Sequence, residues 1–522
     1  MATKIYNKRK GVLLEVICYL YVFLFVYAAT SKLLVFDEFK IQIGQSHMLT
    51  LFTDVVAWGI PFLEILIALL LIIPRFRLLG MYASFCLMVM FTTYIAVILN
   101  FSDDIPCSCG GVIEKLGWTE HLIFNAVFVI LAFIGIIILY DQKKRINTPK
   151  HTKKKLYRSL LIYTISSAGF IILLFVFTKT ELERDTSFKR GFLYYPPKKI
   201  HELDLEYNGH YFAGAADGQI YLGYPRSPLY LKVLDTTLQN VQDLHLKMDK
   251  DSLPMRSPQV RVIPPYFFLM DGTIPYVLRG NTKDWKAHAV MEEPLYFTNA
   301  EPIDSVTLAI RSISSKTNEF ALGTIKLSDS SKMTLSHNLL KKQVDGVFDV
   351  DGMLQYNKQQ EQLIYTYRYR NQYIVANDSL QLELLGKTID TISQAQIEVG
   401  TIASKNQQKL SAPAVSVNKL STTFGKYLFI NSERLGSKES EVVWKKSSVI
   451  DVYDMEKNSY QFSFYVDDIE GKKLKAIRVL NDKFFGLIGN HIVVYQLGDR
   501  FKYITPDTTA TQSSEQEHLE AK

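Results

Sequence analysis

An α-helical membrane bundle of four helices plus a fifth transmembrane span, followed by an all-β exported region, is the fold class this sequence predicts. Three observations predict it. Five long apolar runs occupy the first third of the chain, and basic residues cluster beside them. From about residue 181 the pattern changes to period-two alternation broken by Asp-Gly turns. A chain of 522 residues also exceeds what one hydrophobic core supports, so at least two folding units are expected.

The apolar runs cover about 11–30, 51–73, 78–99, 120–140 and 160–178, each near the roughly 20 residues that cross a bilayer. Lys and Arg fix their expected direction. Lys4, Lys8, Arg9 and Lys10 precede the first run, Arg75 and Arg77 lie between the second and third, and a dense basic segment at 143–158 lies between the fourth and fifth. These belong on the cytoplasmic side. By parity, the loop between the third and fourth runs and everything after about residue 180 face outward, which in a bacterium means the periplasm. The expectation is therefore a multi-pass protein of the bacterial inner membrane, in contact with lipid and with a cytoplasmic N-terminus. The first run reads as a retained helix rather than a signal peptide, because it is longer than an h-region, Glu15 interrupts it, and 28–30 is a poor cleavage site. The net charge of +7 sits mostly beside apolar helices, with no stacking-aromatic or groove-reading motif, so nucleic acid is not an expected partner. The expected segments are a membrane domain at 1–142, a basic cytoplasmic linker at 143–159, the fifth helix at 160–179, an exported domain at 180–504 and a disordered polar tail at 505–522.

The chemistry concentrates in Asp104-Ile105-Pro106-Cys107-Ser108-Cys109-Gly110-Gly111, which holds two of the four cysteines. Outside the cytoplasm such a pair is free to oxidise. A disulfide across one intervening residue closes a very small ring, which disulfide geometry tolerates poorly, so the bond would be easily reduced. That makes a poor staple and a good exchange partner. Two unrelated loop thiols, or half of a metal site, are the alternative readings. No His or Cys cluster completes zinc spacing, so no metal is expected. Cys18 and Cys86 lie at similar depth in their spans; they read as small hydrophobes or as an inner relay pair.

Ionisable residues inside spans are costly and often functional. Glu64, near the middle of the second run, could move the protons that thiol redox chemistry requires or hydrogen-bond a quinone; a polar packing contact is the competing account. Asp54 and Lys32 could pair, although snorkelling suits Lys32. Four residues apart on one helix face, His121 and Asn125 could steady a nearby thiolate.

Taken together, Ala29-Thr30-Ser31-Lys32-Leu33, Phe36-Asp37-Glu38-Phe39, Pro61-Phe62-Leu63-Glu64 and Cys107-Ser108-Cys109-Gly110-Gly111 make the first 140 residues resemble the MauE/DoxX family of redox-associated four-helix membrane proteins. The cysteine motif is most similar to the MauE branch. That resemblance implies a role in maturing a periplasmic disulfide-rich enzyme, methylamine dehydrogenase in the family's case, together with a thioredoxin-like partner. The fifth span and the large C-terminal region lie outside the family's minimal form.

In the exported region, strand candidates include 219–222, 230–234, 266–270, 364–369, 373–375, 425–430, 449–453, 460–466, 484–488 and 492–497. Turns at Asp217-Gly218, Asp271-Gly272, Asp351-Gly352 and Gly489-Asn490 suggest four-stranded units of about 40–50 residues, the period of propeller blades. Six blades fit best, with a pair of two-sheet sandwiches as the alternative. The region has no cysteine, no nucleophile motif and no phosphate loop.

Two classes of function follow. In the first, Cys107 and Cys109, with Glu64, are the catalytic residues of a membrane thiol–disulfide oxidoreductase. It would exchange with a thioredoxin-like or cysteine-containing periplasmic protein and pass electrons to a quinone. In the second, the chain is a membrane-anchored propeller scaffold with a non-catalytic bundle. A DoxX-like quinone-linked sulfur oxidoreductase subunit is a third, weaker reading.

Overall fold

The computed structural model describes residues 2–46, 48–101, 117–144, 152–182, 187–249, 254–291, 293–328, 331–498 and 501. Where apolar residues run without a break, the backbone satisfies its own polar groups as helix, as a chain in lipid must. The helices are α1 (Ala2–Leu34), α2 (Phe36–Gly44), α3 (Thr53–Ile72), α4 (Arg77–Phe101), α5 (Trp118–Lys144) and α6 (Thr152–Leu182). Five segments, Arg9–Leu34, Thr50–Ile72, Arg77–Phe101, Trp118–Gln142 and Lys154–Thr178, are long and apolar enough to cross a membrane. They coincide with the five expected runs. Two details differ from expectation. The helix α2 was announced by no periodicity, and α6 begins inside the basic segment read as a linker.

Contacts divide the chain into two units, Met1–Asp185 with Ile397–Ala414, and Thr186–Gln396 with Val415–Lys522. In the first unit α1, α3, α4 and α5 close a ring, each packed on the next, and α6 lies against α4. Tyr21, Ala68, Leu71, Met81, Ala132 and Ile136 are buried at its centre. The Tyr21 hydroxyl donates to the Phe128 carbonyl, which satisfies the one polar atom of a buried ring. Phe23, Phe62 and Leu173 are exposed, an arrangement suited to lipid rather than water.

The excursion at 397–414 is a hairpin of Val399–Ile402 and Gln407–Leu410, turned through Asn406 in the left-handed region (φ +47°). It docks on α2. Gln45 Nε2 donates to the Leu410 carbonyl at 2.7 Å, and Lys405 pairs with Glu38 at 2.8 Å. Gly44 meets the Ser411 carbonyl so closely that a Cβ there would overlap it.

The second unit is a six-bladed propeller. Antiparallel blades span 211–245, 259–289, 299–336, 352–387, 418–467 and 474–496. The second gains a two-residue strand, Lys247–Met248, parallel to Lys286–Ala289. Only three strands of the sixth blade come from the C-terminal end. Lys198–Asp204 supplies the fourth by pairing with His491–Gln496, so the two ends of the domain close the ring. Asp217 and Gly218, both at positive φ, form the tight turn read from the sequence.

Alternation in the middle strands separates two packed faces rather than core from solvent. Phe267 joins the core between the first and second blades, while its neighbour Phe268 joins the core between the second and third. Leu363 and Ile364 divide in the same way across the fourth blade. Hence the central strands read as near-continuous apolar runs.

Arg190 ties the entering chain to the fifth blade. Its fully buried guanidinium donates from Nε and Nη2 to Asp451 at 2.7 and 3.3 Å, and from Nη1 to Glu439 at 2.8 Å. Arg190→Met leaves two buried carboxylates unpaired and is expected to cost about 3–5 kcal/mol, read as a lower denaturation midpoint of the propeller. Gly44→Ala is expected to free the hairpin from α2. Limited trypsin digestion should then cut at Lys405 or Lys409 faster than in the native protein; an unchanged rate would contradict the docking.

Candidate functional site

Lys32 lies in the last turn of α1, where a cation is favoured by the carbonyl end of the helix. Glu64 lies one turn after Pro61 in α3. Packing of α1 on α3 brings Lys32 Nζ to 2.6 Å from Glu64 Oε1, with the two side chains 14% and 1% exposed. The Phe39 ring of α2 lies 5.9 Å from the same ammonium. Glu64 Oε2 is buried and has no hydrogen-bond partner among the described residues. A carboxylate is stable in such surroundings because an ammonium is bound to it. The open oxygen is one site in the bundle core able to accept a further hydrogen bond.

This geometry corrects two expectations. Lys32 neither snorkels nor pairs with Asp54. Asp54 instead meets Lys40 at 2.6 Å in an exposed pair of little energetic weight. Glu64 also makes a specific ion pair, so the packing account of it is in part realised. Both residues stand in motifs that carried the family resemblance, Ala29–Leu33 and Pro61–Glu64. Two ionisable residues in separate apolar helices were the available signal for their partnership.

Cys107 and Cys109 lie outside the described residues, as does the expected tail at 505–522. The described chain stops at Phe101 in α4 and resumes at Gly117, just before α5. Glu64 is therefore the one predicted catalytic residue that the structure places. Cys18 is buried in the bundle core beside Leu14, Ile17 and Tyr21, Cys86 is half-buried, and both are free thiols. Asn125 is buried on α5, one turn from the half-buried His121. Among the described residues no cluster of three His, Cys, Asp or Glu side chains could hold a metal ion.

Residues 10–138 match the family model described as methylamine utilisation protein MauE, a stretch that runs from α1 into α5. None of the curated proteins matches the chain. Among solved structures, the chain is similar to a member of the DUF4221 family from Bacteroides vulgatus, at 11% identity and a TM-score of 0.38, covering 58% of this chain and 98% of that one. It is also similar to a catalytically inactive virginiamycin B lyase from Staphylococcus aureus, at 10% identity and 0.35, covering 58% and 100%. BamB from Moraxella catarrhalis matches at 10% identity and 0.31, covering 58% and 99%.

Removing either member of the Lys32–Glu64 pair strands a buried charge. Lys32→Met and Glu64→Gln are each expected to lower stability by about 3–5 kcal/mol, and the double variant to recover most of the loss. Thermal unfolding in detergent checks this, and strictly additive losses would contradict the pairing.

Proposed function

We propose that this protein, a MauE domain at residues 10–138 joined to a six-bladed propeller, is a membrane thiol–disulfide redox protein acting on a separate exported partner. The observation that carries the reading is where the cysteines fall. Cys107 and Cys109 stand inside the matched segment, between two apolar helices, while the propeller has no cysteine at all. The propeller supplies no thiol, so the exported party to disulfide exchange is another molecule. The basic clusters support a cytoplasmic N-terminus, a periplasmic Cys107–Cys109 loop and an inner-membrane location.

In the oxidising direction, a thiolate of the partner attacks the Cys107–Cys109 disulfide. A mixed disulfide forms and one cysteine leaves as thiolate. The second partner thiolate resolves the mixed disulfide, which leaves the partner oxidised and the Cys107–Cys109 pair reduced. Closing the pair again releases two electrons and two protons. A membrane quinone is the class of acceptor that suits them, and the open Oε2 of Glu64 fits the hydroxyl of a reduced quinone as a hydrogen-bond acceptor. A thioredoxin-like or cysteine-rich periplasmic protein is the proposed partner, and its maturation the proposed outcome.

The size of the propeller supports a second reading, in which that domain binds a partner and the bundle only anchors it. Cys107→Ser and Cys109→Ser separate the two. Under the redox reading both variants lose partner oxidation, and one of them accumulates a mixed disulfide that dithiothreitol releases. Normal partner oxidation in both variants would sink the redox reading. A Cys107–Cys109 pair that stays reduced at every potential tested would favour the scaffold.

A further inference from the structure

The innermost strands of the six blades, 211–216, 259–263, 299–302, 352–357, 418–424 and 474–480, enclose a channel of about 790 Å3. That volume falls within the range of small-molecule sites. Five cations on its wall, Arg261, Arg311, Arg368, Lys475 and Arg478, face two carboxylates, Glu301 and Asp351. Asp217 and Lys358, both exposed, offset one another.

The carboxylates are already taken. Asp351 receives Arg311 Nη1 at 2.6 Å and Arg368 Nε at 3.0 Å, one on each oxygen. Glu301 receives Arg261 Nε at 2.8 Å. Lys475 donates to Asn208 Oδ1 at 2.5 Å and to the Gly489 carbonyl at 2.6 Å, neither of which is charged. Arg478 is left with no hydrogen bond or ion pair among the described residues.

Removal from water is the main influence on the Arg478 guanidinium and works against its charge. Glu301 offsets this, while the like charge of Arg261 adds to it. A guanidinium stays protonated even so, and it presents a planar fork of donors matched to two oxygens of a carboxylate or phosphate. Arg478 is half-exposed to the channel, so its guanidinium keeps contact with water and a neutral replacement there is expected to change stability little.

We propose that the propeller channel is a binding site for a small oxyanion, a carboxylate or phosphate held on Arg478 with the channel's excess positive charge drawing it in. The site belongs to the propeller alone and does not depend on the thiol chemistry. A ligand of either chemistry would place two oxygens on the free guanidinium and leave the Arg261–Glu301 and Arg311–Asp351–Arg368 groups intact.

Titration calorimetry on the full-length protein in detergent tests this with succinate, citrate and inorganic phosphate, each at low and high salt. Saturable binding of at least one probe, weakened by salt, is expected, and the preferred probe separates carboxylate from phosphate recognition. Arg478→Gln is expected to weaken that probe by about tenfold or more, while the ligand-free protein unfolds at the same or a higher temperature. Arg478→Lys keeps the charge but not the fork, so it should lose less than R478Q and controls for any folding defect in that variant. No saturable binding of any probe to the native protein, or equal binding by R478Q, would overturn the proposal.

Discussion

A carboxylate inside an apolar helix needs a cation, and the ion pair between Lys32 and Glu64 is the constraint on which the first unit depends. Its two members come from helices joined through α2, so meeting the electrostatic demand also fixes how α1 and α3 are set against each other. The Phe39 ring lies over the ammonium, which makes α2 part of the same arrangement. The hairpin at 397–414 then packs on α2, through Gly44, Gln45 and Glu38. A single buried charge thus has consequences that reach a segment more than three hundred residues further along the chain.

The propeller solves a different problem. Its blades bury both faces of their central strands, and closure of the ring by Lys198–Asp204 on His491–Gln496 spares the sheet set an open end. Arg190 adds an electrostatic fastening where the chain enters, with two acidic partners. The channel at the centre is charged unevenly, with more cations than carboxylates to receive them. Packing accounts for the blades; it does not account for that excess, which is why the channel rather than the blade surface reads as a site.

Much of the architecture was legible in the sequence. Each candidate span announced itself by a long apolar run, because a helix that crosses lipid needs about 20 apolar residues in succession. The turns at Asp217-Gly218 and Gly489-Asn490 were legible because a tight hairpin needs residues that accept positive φ, as Asp217, Gly218 and Gly489 do; Asp351-Gly352 is no such turn, since Gly352 begins the first strand of the fourth blade. The short helix α2 was not legible, since nine residues with mixed polarity show no decisive period. Nor was the hairpin excursion, whose strands are four residues each and gain their place only by docking.

By itself the sequence determined that this chain has an apolar five-span portion, a cysteine pair between two of those spans and a cysteine-free β region. Those properties depend on composition and local period, which neighbouring residues carry. Tertiary structure alone decided that Lys32 serves Glu64 and leaves Asp54 to Lys40, that the first strand of the propeller completes its last blade, and that Asp351 takes both Arg311 and Arg368. Each of these is a pairing across long separations, set by which surfaces meet on folding. Local pattern holds no record of that choice.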